Sequence, residues 1–283
     1  MKIALIQNRD HGSPAKNLID TEEKIQAAAV HGAKIICTQE LFLNPYFCRE
    51  QTEENFKFAE PIPGQSSEQL GQIAKENDII LIASLFEKAM SGLYYNTTVI
   101  FNTDGSTLGK YRKNHIPQDP YFEEKFYFAP GDLGYPVFDT IFGKIGILIC
   151  WDQWYPEAAR LLALQGAQII FAPTAIGWLT EEKEELGAKQ HSAWLQVQRG
   201  HAVANSCFFA AVNRIGKEEP IEFWGQSFVA NHYGEIISTA AIDQEETLYA
   251  DCDLDSLDAH RQMWPFFRDR RIDTYTDILK RSL

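Results

Sequence analysis

The hydrophobic positions of this chain change period repeatedly, and each change marks an element. Residues 2–7 and 34–40 are apolar runs of strand length. Between them, residues 17–33 carry helical spacing and close on Gly32, a residue suited to helix ends. The spacing therefore predicts a strand–helix–strand opening. A second helix is expected over 66–77, ahead of the strongly apolar strand 79–86. Runs 94–101 and 106–111 flank Asp104-Gly105, a pair that favours a hairpin turn. The second half continues the habit with strand 144–150, helix 156–164 opened by Pro156, strand 167–173, helix 188–205 and strand 207–213. Residues 227–230 and 235–239 read as a hairpin around Tyr233-Gly234. Residues 247–253 read as a last strand, and the tail from Asp255 as helical and then extended.

One stretch breaks the alternation. Residues 113–132 have no period and are rich in Pro and aromatics. Unstructured loops beyond about 12–15 residues inside a domain are functional or disordered, and the aromatics argue against disorder. No linker rich in Pro, Gly or Ser divides the chain, so residues 1–283 read as one α/β domain. Strands joined partly by helices and partly by hairpins imply mixed sheets. Amphipathic helices belong on the outside of a layered sandwich.

Composition narrows the classes. With 45% hydrophobic and 12% aromatic residues the chain is not a disordered one. No apolar run reaches the ~18–20 residues needed to cross a bilayer, and the first residues are too short for a secretory h-region. Lys and Arg number 26 against 39 Asp and Glu, a formal charge of −13, which argues against a nucleic-acid or anionic-membrane partner. That charge suits a cationic ligand. Cys37, Cys48, Cys150, Cys207 and Cys252 are odd in number and form no CxxC pair, and the seven His show no ligand spacing. We expect a cytoplasmic, reducing compartment and no metal.

Three residues could carry chemistry. Cys150 ends an apolar strand and precedes Trp151-Asp152-Gln153-Trp154-Tyr155-Pro156, a strand-to-helix elbow that pushes a side chain into a cleft beside helix amides. The plain alternative is a buried structural cysteine. Glu40 closes strand 34–40 and suits a general base, against the plain reading of a solvated strand end. Lys113 lies in Lys110-Tyr111-Arg112-Lys113-Asn114-His115, a basic cluster without a glycine-rich phosphate loop. His115 leaves a Cys–His pairing open at this point.

In order along the chain, Thr38-Gln39-Glu40-Leu41-Phe42, Tyr111-Arg112-Lys113-Asn114-His115 and Ile149-Cys150-Trp151-Asp152-Gln153 resemble the three marks of the nitrilase, or carbon–nitrogen hydrolase, superfamily. The resemblance covers nearly the whole chain. It implies a four-layer α–β–β–α sandwich built into dimers or larger homo-oligomers, with 255–283 as a tail at a subunit interface. It makes Cys150 the nucleophile, Glu40 the general base, Lys113 the oxyanion stabiliser and the Trp151 amide its partner, with no cofactor. A further family glutamate falls on Glu123 or Glu124, and the match to Glu-Lys-Phe-Tyr-Phe favours Glu124. His115 and Trp178 become substrate-lining candidates.

Within the superfamily, the segments around Cys150, Pro173-Thr174-Ala175-Ile176-Gly177 and Phe223-Trp224-Gly225-Gln226-Ser227 most resemble the branch that hydrolyses N-carbamoylputrescine. The small-molecule substrate implied is a cationic ureide, and Glu181-Glu182-Lys183-Glu184-Glu185 offers partners for its ammonium, against the plain reading of most of that run as the solvated face of a helix start. A β-ureidopropionase, with a carboxylate substrate, or another small-amide or ureide amidohydrolase of the same superfamily remains the alternative. A non-catalytic scaffold of the same fold is the remote one.

Overall fold

In the computed structural model, which describes residues 1–283, the first half runs β1 (Lys2–Gln7), α1 (Pro14–Val30), β2 (Ile35–Thr38), α2 (Gln65–Glu76), β3 (Ile80–Met90), β4 (Leu93–Phe101) and β5 (Thr107–Arg112). A short helix α3 (Glu124–Tyr127) precedes β6 (Val137–Thr140), β7 (Gly143–Ile147), α4 (Pro156–Leu164), β8 (Ile169–Thr174), β9 (Gly177–Leu179) and α5 (Lys183–Asn205). Then follow β10 (Phe208–Asn213), β11 (Ile215–Glu218), β12 (Ile221–Trp224), β13 (Phe228–Ala230), β14 (Ile236–Thr239), β15 (Glu246–Asp251) and α6 (Ser256–Met263). Helix α1 starts earlier than its apolar period because Ser13 caps it, accepting from the Lys16 amide, and Pro14 fits the first turn.

Two six-stranded sheets form, in the orders β15-β1-β2-β3-β4-β5 and β14-β13-β10-β8-β7-β6. Each has three parallel strands in its middle and antiparallel strands outside them. Ile3, Leu5, Ile35 and Ile80 of one sheet pack against Ile145, Ile147, Ile169 and Phe171 of the other. The outer faces bury Ala4, Ile6 and Ile36 against Ile25 of α1 and Leu70 of α2. On the other side, Ile170 and Phe209 lie against Leu162 of α4 and Trp194 of α5. This is the expected four-layer α–β–β–α sandwich. Central strands buried on both faces must read as continuous apolar runs rather than alternation, which is how they read.

A third sheet, β11-β12-β9, was not expected. Its strands are three or four residues long, too short to show a period. β9 approaches β12 closely at Gly177, where a Cβ would stand 2.3 Å from the Glu222 carbonyl oxygen. The aperiodic stretch 113–132 is tied down by its backbone. The Glu123 amide donates to Cys48 O at 2.8 Å, Ala129 to Tyr94 O at 2.9 Å and Gly131 to Lys113 O at 2.8 Å. Phe128 and Tyr127 pack edge-on against Phe86 and Phe47. No helix is long and apolar enough to cross a membrane.

Candidate active site

Glu40 lies just past the end of β2, Lys113 directly follows β5, and Cys150 lies just past β7. Carboxyl ends of strands are where open α/β sheets gather functional groups. The two sheets meet there: the Glu40 amide donates to Thr174 O, at the end of β8, at 3.4 Å. Leu41 turns the chain through a positive φ of 49°, and its amide donates to Ser84 Oγ at 3.1 Å. Arg214, buried to 1% exposure, donates to Leu41 O at 3.1 Å and Asn44 O at 2.7 Å and pairs with Glu218 at 2.5 Å. The loop that carries Glu40 is therefore fixed from both sides.

Lys113 Nζ donates to Glu40 Oε1 at 2.8 Å and to Glu124 Oε2 at 2.6 Å, and all three side chains are fully buried. Glu40 Oε1 also accepts from Asn96 Nδ2 at 2.7 Å, and Glu124 Oε1 from the Tyr46 hydroxyl at 2.9 Å. Glu40 Oε2 has no partner. Of the two adjacent acids it is Glu124 that meets Lys113, whereas Glu123 turns outward and accepts from Gln51 Nε2 at 2.8 Å. Burial alone would drive the Lys113 ammonium down, but Glu124 and Glu40 hold it well above the ordinary lysine range. Burial pushes the Glu124 carboxyl up to about 7 against the pull of Lys113.

Cys150 opens a 3₁₀ turn, Cys150–Trp154, with a left-handed φ of 44°. Only a surrounding structure that over-determines the backbone holds a non-glycine residue there. Burial and the neighbouring Glu40 push its thiol well above the usual range, partly offset by Lys113, so it rests protonated. Its Sγ contacts Ala175 O at 3.9 Å. Trp151 is the second residue of the turn, and a helix's opening amides have no partner within it.

Cys150 and Glu124 open into a cavity of about 520 Å³. Phe122, Trp154, Leu179 and Trp224 are among its apolar lining, and Asp119, Glu181 and Glu182 are its other carboxylates. No lysine or arginine lines it. Gln190, with an unpartnered Oε1, and Glu182 are joined by a 3.2 Å hydrogen bond on this wall. Helix α5 begins at Lys183 rather than 188, and the acidic run divides: Glu181, itself exposed, and the half-buried Glu182 line the cavity, whereas Glu184 and Glu185 do not.

Two sequence candidates lie elsewhere. His115 is not part of the cavity lining; its ring bonds Asp152 and stacks on Tyr155. Trp178 is 8% exposed and turns its indole N–H to Gly187 O at 3.0 Å, behind the wall rather than on it. Residues the sequence reading missed include Asn96 and Tyr46. The signal for Asn96 was a polar amide inside an apolar strand, which needs a buried partner. A cluster of His11, Asp20 and Glu245 near the start of α1 is already served by Lys24, whose Nζ is 2.7 Å from Asp20.

Comparison with known proteins gives a consistent picture. The carbon-nitrogen hydrolase family description matches residues 2–262. The N-carbamoylputrescine amidase of Arabidopsis thaliana is 45% identical over 93% of this chain and 90% of its own length. The citrullinase of Francisella tularensis subsp. tularensis is 40% identical over 99% of both chains. The crystal structure of a carbon-nitrogen hydrolase from Helicobacter pylori G27 superposes with a TM-score of 0.96, at 43% identity and over 100% of both chains.

Proposed function

The chain belongs to the carbon–nitrogen hydrolase family, whose members are hydrolases acting on amides or ureides, and on that premise we propose that it cleaves N-carbamoylputrescine. Cys150 is the nucleophile in this reading. The unpartnered Oε2 of Glu40 takes the thiol proton as sulfur attacks the ureide carbon. A charged lysine has three N–H donors; two of those on Lys113 are engaged by Glu40 and Glu124, leaving one for the developing oxyanion. The Trp151 amide is its second donor, each well-placed donor being worth about 2.7–4 kcal/mol. The departing nitrogen takes the proton from Glu40. Water, deprotonated by the same carboxylate, then cleaves the thiocarbamate on Cys150 to a carbamic acid, which loses carbon dioxide and so frees the second amine. The balance is putrescine, carbon dioxide and ammonia.

The observation that carries the substrate is the charge of the cavity: three carboxylates at its wall besides the Lys113-paired Glu124, and no cationic side chain. A primary ammonium leaving water needs such acceptors, and a carboxylate there would meet only like charge. The test is ammonia release from N-carbamoylputrescine, N-butylurea, citrulline, N-carbamoyl-β-alanine and α-ketoglutaramate side by side. We expect the cationic ureide to exceed N-carbamoyl-β-alanine by at least ~100-fold in kcat/KM, the scale of ~3 kcal/mol of pairing, with N-butylurea between them. Equal or better turnover of a carboxylate-bearing substrate would move the protein to a different branch of the family.

The same reading includes a homo-oligomer built from dimers in a reducing cytoplasm. Exposed Leu161 and Leu164 on α4 and Trp264, Phe266 and Tyr275 in the tail support a subunit seam there, and five free cysteines support the compartment. Light scattering should return a mass well above 32.2 kDa, and truncation before Trp264 should lower it.

A further inference from the structure

Asp152 is fully buried and makes no ion pair with a lysine or arginine. Four donors hold its carboxylate instead. Oδ2 accepts from the Ile149 amide at 3.1 Å and the Tyr111 hydroxyl at 2.7 Å. Oδ1 accepts from the His115 amide at 2.8 Å and faces His115 Nδ1 at 2.7 Å. An ionised carboxylate only accepts, so that ring nitrogen carries its proton. Burial and the facing carboxylate push the Tyr111 hydroxyl well above the usual phenol range, so it too remains a donor.

The donors come from two separate segments. Ile149 directly precedes Cys150, while Tyr111 and His115 bracket Lys113. One carboxylate thus spans the elbow that bears the thiol and both sides of the lysine. We propose that Asp152 is a positioning residue that registers Cys150 against Lys113, with His115 as the side chain that keeps its second oxygen in place. His115 is itself steadied by Tyr155, their rings stacked with centroids 3.7 Å apart and planes 6° from parallel. Neutral substitutes cannot reproduce this arrangement. An asparagine at 152 has one acceptor oxygen, and its NH₂ would confront the donors that Oδ1 or Oδ2 now accepts.

The inference rests on the reading of Cys150 as nucleophile, and the test separates the two. In the full-length protein, Asp152→Asn, His115→Leu and His115→Asn are compared with wild type. The readouts are kcat and KM for N-carbamoylputrescine, and the rate at which iodoacetamide alkylates Cys150, followed by peptide mass spectrometry. His115→Leu should lower kcat by about 10–100-fold, the cost of a misplaced reacting group, with KM little changed and Cys150 alkylation slowed. His115→Asn, whose side-chain N–H can occupy the place of Nδ1, should recover most of both losses. Asp152→Asn should show the larger defect; should it fail to fold, the two His115 variants decide alone. Wild-type kcat and alkylation in His115→Leu, or no recovery in His115→Asn, would overturn the positioning role. Full activity in Cys150→Ala would instead overturn the reading of the site. Should N-carbamoylputrescine not be turned over, the alkylation rates still test the positioning.

Discussion

One oxygen of Glu40 is bound to Lys113 at 2.8 Å, while its other oxygen, equally buried, has no partner at all. An unsatisfied buried acceptor costs stability, on the order of 1–3 kcal/mol, and its position in a site gives it a use. Glu40→Gln keeps an acceptor for Lys113 and Asn96 but cannot take a proton. We expect kcat to fall about 10²–10⁴-fold, the usual worth of a general base, with an adduct accumulating on Cys150 in intact-mass spectra. Cys150→Ala should leave the circular dichroism unchanged and release no ammonia. Normal turnover in either variant would sink the thiol mechanism.

The resting thiol supplies a second expectation. Because burial and Glu40 hold the Cys150 thiol well above its ordinary range, thiolate is scarce at neutral pH and increases as pH rises. Labelling by methyl methanethiosulfonate, which is not a substrate analogue, should accelerate about tenfold per pH unit between about 7 and 9. Turnover should stay nearly flat over the same interval, since in the proposed mechanism Glu40 removes the proton within the complex. Parallel profiles for labelling and ammonia release would contradict this.

The acidic wall should act on affinity rather than on the chemical step. Glu181→Gln and Glu182→Gln should raise KM for N-carbamoylputrescine while leaving N-butylurea, which has no ammonium, unaffected. The net charge of −13 should make kcat/KM for the cation fall as salt is added, because screening weakens long-range attraction. Steady-state kinetics with both ureides across a salt series checks each point.

Arg214 makes a prediction about stability. Its removal takes the cation from Glu218, which keeps only the Tyr46 amide, and the guanidinium donor from the Leu41 and Asn44 carbonyls in a nearly closed interior. Breaking one side of a buried pair costs about 3–5 kcal/mol, so Arg214→Met should lower the urea midpoint by a corresponding amount. The Glu40 loop should loosen with it, visible as faster amide exchange at Leu41. An unchanged midpoint would show that the pair contributes little.

A further pH effect belongs to the C-terminal side. The rings of His232 and His260 meet at a 52° tilt with centroids 4.4 Å apart, beside Tyr233 and Trp264, and neither nitrogen of His260 has a partner. Burial holds both imidazoles below their usual value; His260 and Arg261 lower His232 further, while Asp253 and Glu235 oppose. The unfolded chain, with histidines near ~6.5, therefore binds protons first on acidification. This contribution to stability is present above about pH 6.5 and is lost as pH falls below it. The melting temperature should drop between pH 7 and pH 5, and less steeply in His260→Phe. Equal slopes would count against the pair.

How much of this was legible before the structure depended on length and repetition. Strands such as 2–7 and 79–86 were readable because burial on both faces makes them apolar throughout. Residues 177–179 and 221–224 were not, since so few residues show no period and their pairing is set by distant contacts at Gly177 and Trp178. The four residues of α3 follow the same rule; Glu124 is held there by Lys113 and Tyr46, not by local propensity. Glu40 and Cys150 could be singled out because each closes an apolar run at a change of period, and Lys113 because it sits in a basic cluster just after one. Asp119 and Gln190 carry no such mark, and only the folded chain brings them to one wall.

The small sheet changes how this molecule can diversify. Glu40, Lys113 and Cys150 lie just past strands of the two large sheets, while Gly177, Leu179, Trp224, Glu181, Glu182 and Gln190 come from the small sheet, the turn after it and the first half of α5. Much of the cavity wall is thus carried on pieces of chain separate from the three residues proposed to react, although Asp119, Phe122 and Trp154 join it from their side. On the proposed mechanism, substitutions between 177 and 190 would alter the guest while leaving Glu40, Lys113 and Cys150 in place. A descendant lineage can therefore change its diet without relearning its chemistry.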